Sequence, residues 1–407
     1  MNPLLYHRLH ELKEKLILCF SVSPFLRFGS LDSGVPIAPS PLRPFTPSNC
    51  FVGNCSIWRK FVDKFHGMKK LKADEFVARM KGQVVLDIRT PAEFADGHLP
   101  GAISFPLFSD EERVVVGTLY KQQGKDTAVL KGLELVGPKL KKFVLQARKH
   151  PGPLYLYCWR GGMRSSSMAW LLETAGREVS LLEGGYKAYR TYGRELISSG
   201  LKLIMLSGPT GSGKTEILHQ LIRLGHQVLD LEGLANHRGS SFGGIGQPPQ
   251  PTTEQFTNLI FEQIMQFDLS QPIWVEGESQ AIGRVSILHE LFSQMNCCHT
   301  IRIDPPKEER IERLLRDYAG FPAGELQRSI ENISKRLGGK DTQDTLEALH
   351  AGDYRKVTDI TLAYYDKGYD FSMARRETKM LKYVAKSYDP ALIAPELAEF
   401  ARREIHL

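Results

Sequence analysis

At about 150 residues per domain, a chain of 407 residues is too long for one ordinary core, so two folded units plus extra segments are expected. An apolar share of 42%, a charged share of 24% and no apolar run near the roughly 18 residues of a membrane span point to a soluble globular protein. Six cysteines without a CxxC pair exclude a disulfide framework or zinc site and fit a reducing cytoplasmic setting, while a net charge of +7 permits a polyanionic partner without identifying one.

Residues 1–67 include "SVSPFLRFGSLDSGVPIAPSPLRPFTPSNC", rich in Pro and Ser and without helical or strand period, and are expected to be mostly disordered. Glu11 and Glu14 precede the short apolar stretch "KLILCFSVSPFL" and no small-residue cleavage site follows, which argues against a secretory signal. An organellar transit peptide, an ordinary tail and a start assigned upstream of Met68 stay open. From Met68, "KKLKADEFVARMKG" predicts a first helix. The strands "QVVLDI" and "PLYLYC" then alternate with the helical "DTAVLKGLELVGPKLKKFVLQARKH" and "SSSMAWLLETAG", giving an α/β domain over 68–198. The alternation restarts with "LKLIML", "HQVLDLEG", "TEQFTNLIFEQIMQF", "QPIWVEGE" and "CHTIRIDPP", followed by a long charged helix. A second α/β domain with a helical C-terminal part is expected over 199–407.

"GPTGSGKT" fits G-x-x-x-x-G-K-[ST] with Gly208, Gly211, Gly213, Lys214 and Thr215, between an apolar strand and a helix. Glycines let successive backbone N–H groups wrap an anion, the helix N-terminus adds positive potential and Lys214 neutralises the outer phosphate. Thr215 offers a hydroxyl to Mg²⁺ if a metal is used. At the ends of the following strands, Asp230, Glu232, Glu276 and Glu278 are candidates for holding Mg²⁺ through water or orienting a substrate, or else are solvated strand-end carboxylates. The glycine-rich "ANHRGSSFGGIGQPPQP" reads as a mobile binding loop with Arg238 as a phosphate or RNA contact.

In "YCWRGGMRSSS" a strand delivers Cys158 to a loop that opens a helix. Backbone N–H groups, the helix dipole, Arg160 and Arg164 favour a thiolate, a persulfide or a bound oxyanion there; a merely buried cysteine is the bland alternative. "LDIRTPAEFADGHLPGAISFP", with Asp87, Arg89, Glu93, His98 and Gly101, resembles the front signature of rhodanese domains, and "LLEGGYKAYR" resembles their closing segment. Cys158 falls at the position of the persulfide-forming cysteine. Five residues separate Cys158 from Arg164 where most single rhodanese loops hold four, a spacing similar to rhodanese-like phosphatases and roomier than a sulfur atom needs.

A rhodanese-like α/β domain followed by a P-loop NTPase/kinase-like α/β domain resembles the tRNA 2-selenouridine synthase family. "SDEERVVVGTLYKQQGKDTAVLKGLELV", "CWRGGMRS", "EGGYKAYR", "GPTGSGKTE", "DLEGLANHRGSSFG", "VEGESQAIG" and "KRLGG" look like that family's segments in its order, across 68–400. The resemblance implies a transferase acting on tRNA that carries 2-thiouridine at the wobble position. Geranyl diphosphate alkylates the sulfur, and selenophosphate then supplies the selenium of 2-selenouridine. Lys214 and the loop amides would assist diphosphate departure. Cys158 would carry selenium as a selenosulfide or activate selenophosphate, whose anionic end Arg160 and Arg164 would bind. No tightly bound cofactor is expected. A sulfurtransferase fused to a small-molecule kinase, and a rhodanese-like phosphatase, are the alternatives. For RNA contact, Arg316, Lys335, Arg336, Arg375, Arg376, Lys379 and Lys382, with Tyr364, Tyr365 and Tyr369, are candidates that read equally well as solvated helix faces and core aromatics. The oligomeric state is not legible.

Overall fold

The computed structural model describes residues 68–373 and 380–405. The disorder and targeting readings of residues 1–67, and the candidates Arg375, Arg376 and Lys379, lie outside the described residues. Two five-stranded parallel sheets carry the fold, each covered by helices as parallel sheets must be.

The first sheet comprises β1 (Lys69–Leu71), β2 (Val84–Asp87), β3 (Ile103–Ser104), β4 (Leu154–Tyr157) and β5 (Val179–Leu182), in the order β1-β5-β4-β2-β3. The expected first helix is shortened, because "KKL" pairs in parallel with Ser180–Leu182 as an edge strand and the helix spans only Ala73–Met80. Pairing and burial of Leu71 outweigh the local helical pattern. β4 is buried at every position, as a central parallel strand should be, and the helix Met163–Thr174 follows it.

The second sheet comprises β6 (Leu203–Ser207), β7 (Gln227–Leu229), β8 (Ile273–Glu276), β11 (His299–Ile303) and β12 (Met380–Tyr383), in the order β12-β11-β6-β8-β7. A two-stranded hairpin of β9 (Ala281–Ile282) and β10 (Val285–Ser286) stands beside it. The sequence around Lys382, read as a basic segment for RNA, supplies the edge strand β12. β6 is central, and the strand order diverges at its carboxyl end, which is where α/β sheets bind ligands. Helices Lys307–Tyr318, Ala323–Leu337, Gly339–His350 and Tyr354–Met373 form the helical part. No helix among the described residues is long and apolar enough to cross a membrane.

One continuous hydrophobic cluster joins the two sheets' layers. Tyr186, Tyr189 and Ile197 of helix Gly185–Ser198 pack with Phe256, Ile260 and Phe261 of helix Thr253–Ile264. A polar seam runs along the same contact. Tyr186 donates its hydroxyl to Glu254 at 2.8 Å, and Asn258 donates to the Tyr186 oxygen at 2.7 Å and to the His98 carbonyl at 3.0 Å. The His98 N–H donates to Gln255 at 2.8 Å and Arg190 donates to Asn258 at 2.8 Å. Every partner in this seam is satisfied across the boundary, so the two α/β layers are held in one arrangement.

Candidate functional site: a cysteine loop and a phosphate cavity

β4 ends at Tyr157, and Cys158 follows it into the turn with 3% of its surface exposed. The loop Trp159–Gly162 leads to helix Met163–Thr174. The Cys158 sulfur lies 3.2 Å from the Ser165 hydroxyl, which also reaches the Gly162 carbonyl at 3.2 Å. The segment "EGGYK" braces the loop from behind: the Tyr186 N–H donates to the Cys158 carbonyl at 2.8 Å and the Lys187 N–H to the Trp159 carbonyl at 3.1 Å. Gly185 has φ +64° and a Cβ there would lie 2.3 Å from the Cys158 oxygen, so only glycine allows this approach. The cysteine loop and the closing segment, far apart in sequence, are thus one construction.

The two arginines of the loop part company. Arg164 is committed to Glu93, with contacts of 2.6 and 3.3 Å, and is not a free cation turned to the thiol. Burial works against ionised Glu93, but the Arg164 partnership and the Thr90 N–H hold its carboxyl below the usual range. Arg160 is exposed and enters no ion pair among the described residues. The front signature frames the loop. Asp87 and Arg89 are fully buried partners at 2.7 Å, Tyr157 donates to Asp87 at 2.7 Å, and the Arg89 guanidinium sits 4.0 Å from the Tyr186 ring centroid. Asp87 and Arg89 therefore connect the sheet to the interdomain seam through Tyr186.

The second site lies past β6. Gly208–Gly213 turn, with Gly211 at φ +78° and Gly213 at φ +82°, into helix Lys214–Arg223. Lys214 folds back and donates to the Gly208 carbonyl at 2.9 Å, and Thr215 donates to Glu232 at 2.8 Å. Two arginines that the sequence reading passed over support this loop. Arg310 donates to the Thr210 carbonyl at 2.8 Å while paired with Asp366, and Arg313 donates to the Gly211 carbonyl at 3.0 Å and pairs with Glu216 at 2.8 Å. Arg316, a candidate RNA contact, pairs with Glu216 at 2.7 Å. The signal was present: Arg310, Arg313 and Arg316 recur every three residues on one helix face.

The loop opens on a cavity of about 1110 Å³. One wall is acidic. Asp230 caps helix Leu231–Ala235 by accepting the Gly233 N–H at 2.8 Å, Glu232 accepts from Thr215, and Glu278 lies next to Glu232. Burial, then the Glu278 charge, pushes the Glu232 carboxyl up to about 8 against the opposing pull of Lys214. Glu276 is not on this wall. It is fully buried at the end of β8, accepts the Leu231 N–H at 3.0 Å, and burial among carboxylates drives it far above the ordinary range. Aromatic and basic side chains complete the lining, with Tyr318, Tyr364, Tyr365, Tyr369 and Arg238. The Arg238 guanidinium lies 5.8 Å from the Tyr318 ring centroid.

Expected to be mobile, the glycine-rich loop is pinned. Phe242 and Ile245 are buried with Leu326 and Ile330, and the Ser241 N–H donates to the Tyr365 hydroxyl at 3.1 Å. Gly239, at φ +73°, lies so close to Glu278 and Glu232 that a Cβ would meet their oxygens at 2.8 to 3.0 Å.

The family described as "tRNA 2-selenouridine synthase AAA domain" matches residues 201–389, and "Rhodanese-like domain" matches 72–192. A protein of Nitrosomonas europaea named tRNA 2-selenouridine synthase is 38% identical over 275 residues, covering 64% of this chain and 70% of its own. One from Shewanella frigidimarina with the same name is 35% identical over 342 residues, covering 74% of this chain and 92% of its own. A third, from Nitrosomonas eutropha, is 37% identical over 289 residues, covering 68% and 74% respectively.

Proposed function

The chain belongs to the tRNA 2-selenouridine synthase family, and from that premise we propose that it converts 2-thiouridine at the wobble position of tRNA to 2-selenouridine in two transfers. In the first, the thiouridine sulfur bonds to C1 of geranyl diphosphate, the C–O bond breaks, diphosphate leaves and the base loses a proton. In the second, the selenium of selenophosphate bonds to C2 of the base, the C–S bond breaks and geranylthiol leaves with a proton, and water takes the phosphoryl group from selenium as phosphate.

The observation that carries the first step is the make-up of the cavity. Phosphate-wrapping backbone, Lys214 and the arginine-braced loop line the same cavity as the aromatic rings of Tyr318 and Tyr365. A diphosphate ester with a hydrocarbon tail has chemistry to match both. Negative charge grows on the departing diphosphate, and preorganised N–H groups and Lys214, released from the Gly208 carbonyl, stabilise it. If Mg²⁺ takes part, Thr215 and Glu232 would hold it, and it would neutralise charge on the departing diphosphate. This fits an ion that uses one or two carboxylates, and no grouping of three or more ligating side chains among the described residues would hold a metal alone.

The second step is assigned to the cysteine loop, where Cys158 engages selenophosphate and Arg160 contacts its anionic end. Nucleoside analysis of 2-thiouridine-containing tRNA after incubation with the chain tests the reading. Geranyl diphosphate alone should yield S-geranyl-2-thiouridine, and adding selenophosphate should yield 2-selenouridine. Unchanged 2-thiouridine under both conditions, with ATP instead of geranyl diphosphate protecting the chain against heat, would favour a kinase.

A further inference from the structure

The phosphate cavity is larger than its anion requires. Its volume of about 1110 Å³ lies just above the roughly 300–1,000 Å³ that suits a whole small-molecule ligand, so a second group fits beside a phosphate ester. Where the cavity opens, its lining changes character. Arg336, near the end of helix Ala323–Leu337, and Lys367, in helix Tyr354–Met373, both line the cavity and are both exposed. Among the described residues neither enters an ion pair or hydrogen bond, whereas Arg310, Arg313 and Arg316 are all tied to carboxylates. Unpaired cations at an opening draw in polyanions at little desolvation cost.

Aromatic rings interleave with these cations. Phe371 is 62% exposed, and Tyr364 meets the edge of Tyr365 at 5.0 Å between centroids. Tyr365 is a support: it accepts the Ser241 N–H and burial pushes its hydroxyl up to about 12. Tyr369 is likewise engaged, through its hydroxyl, with Ser207 at 2.6 Å. Tyr364, Lys367 and the exposed Phe371 follow one another along one face of helix Tyr354–Met373 and line the cavity with Arg336, which is the combination of stacking surface and backbone charge that single-stranded nucleic acid uses. Lys335 and Lys382, also basic and exposed, do not line the cavity.

We propose that this opening seats a single-stranded RNA segment: Arg336 and Lys367 hold successive phosphates while Tyr364 and Phe371 stack an unpaired base directed into the phosphate cavity. The inference rests on the tRNA reading of the preceding section and names the surface that reading lacks. A base must leave its helical stack to reach a buried reaction centre, and a loop nucleotide leaves most cheaply.

The test uses the full chain with an unmodified tRNA transcript, a single-stranded heptanucleotide and a blunt RNA duplex, without geranyl diphosphate or selenophosphate. The double variant Arg336→Glu/Lys367→Glu should weaken binding of tRNA and heptanucleotide at least tenfold. Removing two phosphate contacts at about 0.7 each should lower the magnitude of the log affinity against log salt slope by about 1.4. Arg336→Gln/Lys367→Gln should give the same change in slope with a smaller loss, and Lys335→Glu should alter affinity by less than about twofold. Tyr364→Ala should cost about fivefold or more at an unchanged slope, with Tyr364→Phe restoring it. Protection of each variant against heat by inorganic pyrophosphate should match the original chain and shows the P-loop intact. Wild-type affinity and slope in both double variants, or a duplex bound as tightly as the heptanucleotide, would overturn the proposal. Because no transfer chemistry is read, failure of the two-step reaction would leave these results standing. A chain that modifies tRNA normally with both cations reversed would sink only the surface proposed here.

Discussion

Gly193→Ala probes the contact that holds the two α/β layers together. Gly193 lies inside helix Gly185–Ser198, where alanine ordinarily gains about 1 kcal/mol over glycine. A Cβ there would stand 2.4 Å from two ring carbons of Phe261, whereas ordinary contact starts at 3.4 Å, so ring or helix must give by about 1 Å. Phe261 is fully packed, with Tyr189 on its edge at 6.2 Å and the Arg190 guanidinium 5.3 Å from its ring centroid, and has little room to move. Overpacking of this kind costs about 1–3 kcal/mol, which outweighs the helical gain and leaves a net loss of about 1 kcal/mol. Gly132→Ala is the control. Its Cβ would meet only the tip of Phe108 at 3.5 Å, so the helical gain should survive and stabilise by about 0.5–1 kcal/mol. Thermal scans should therefore move in opposite directions, by about 2–4 °C per kcal/mol. Equal stabilisation by both substitutions would refute the tight contact between the layers.

Glu232→Gln should remove a pH dependence. The folded carboxyl is pushed up to about 8 from an ordinary 4.5, so between these values the folded chain holds a proton that the unfolded chain has lost. Stability thus falls as pH rises through that window, and the variant's thermal midpoint relative to the original should climb between about pH 5 and pH 8; a constant difference would contradict the assignment. Asp87→Ala would strand the buried Arg89 charge and should cost about 3–5 kcal/mol in urea unfolding. Arg160→Ala should raise the KM for selenophosphate, while Arg164→Ala and Glu93→Ala should resemble each other and fail to add when combined, because each removes the same pair.

Much of this site was legible in the chain because its signals are local. "GPTGSGKT" between a strand and a helix locates the phosphate loop, since glycines at positive φ and the lysine that follows are consecutive residues. The same is true of the strand, turn and helix around Cys158. What was not legible depends on tertiary partners. That Arg164 answers to Glu93, 71 residues away, follows from the packing of helix Pro91–Asp96 against the loop and from nothing in "CWRGGMR" itself. The burial of Glu276 and the exposure of Glu278 to the cavity differ by two positions, one facing the sheet's own core and the other past its end. "KKL" reads as helix until β5 offers it a ladder. The glycine-rich loop reads as mobile because its two anchors, Phe242 and Ile245, find their partners more than 80 residues downstream.

The division of labour between the sites is the central claim, and nucleoside mass spectrometry of 2-thiouridine-containing tRNA treated with two variants tests it most directly. Cys158→Ala should still make S-geranyl-2-thiouridine from geranyl diphosphate and make no 2-selenouridine when selenophosphate is added. Lys214→Ala should fail at geranylation but convert tRNA already geranylated to 2-selenouridine. Loss of both products in each variant would contradict two separate sites.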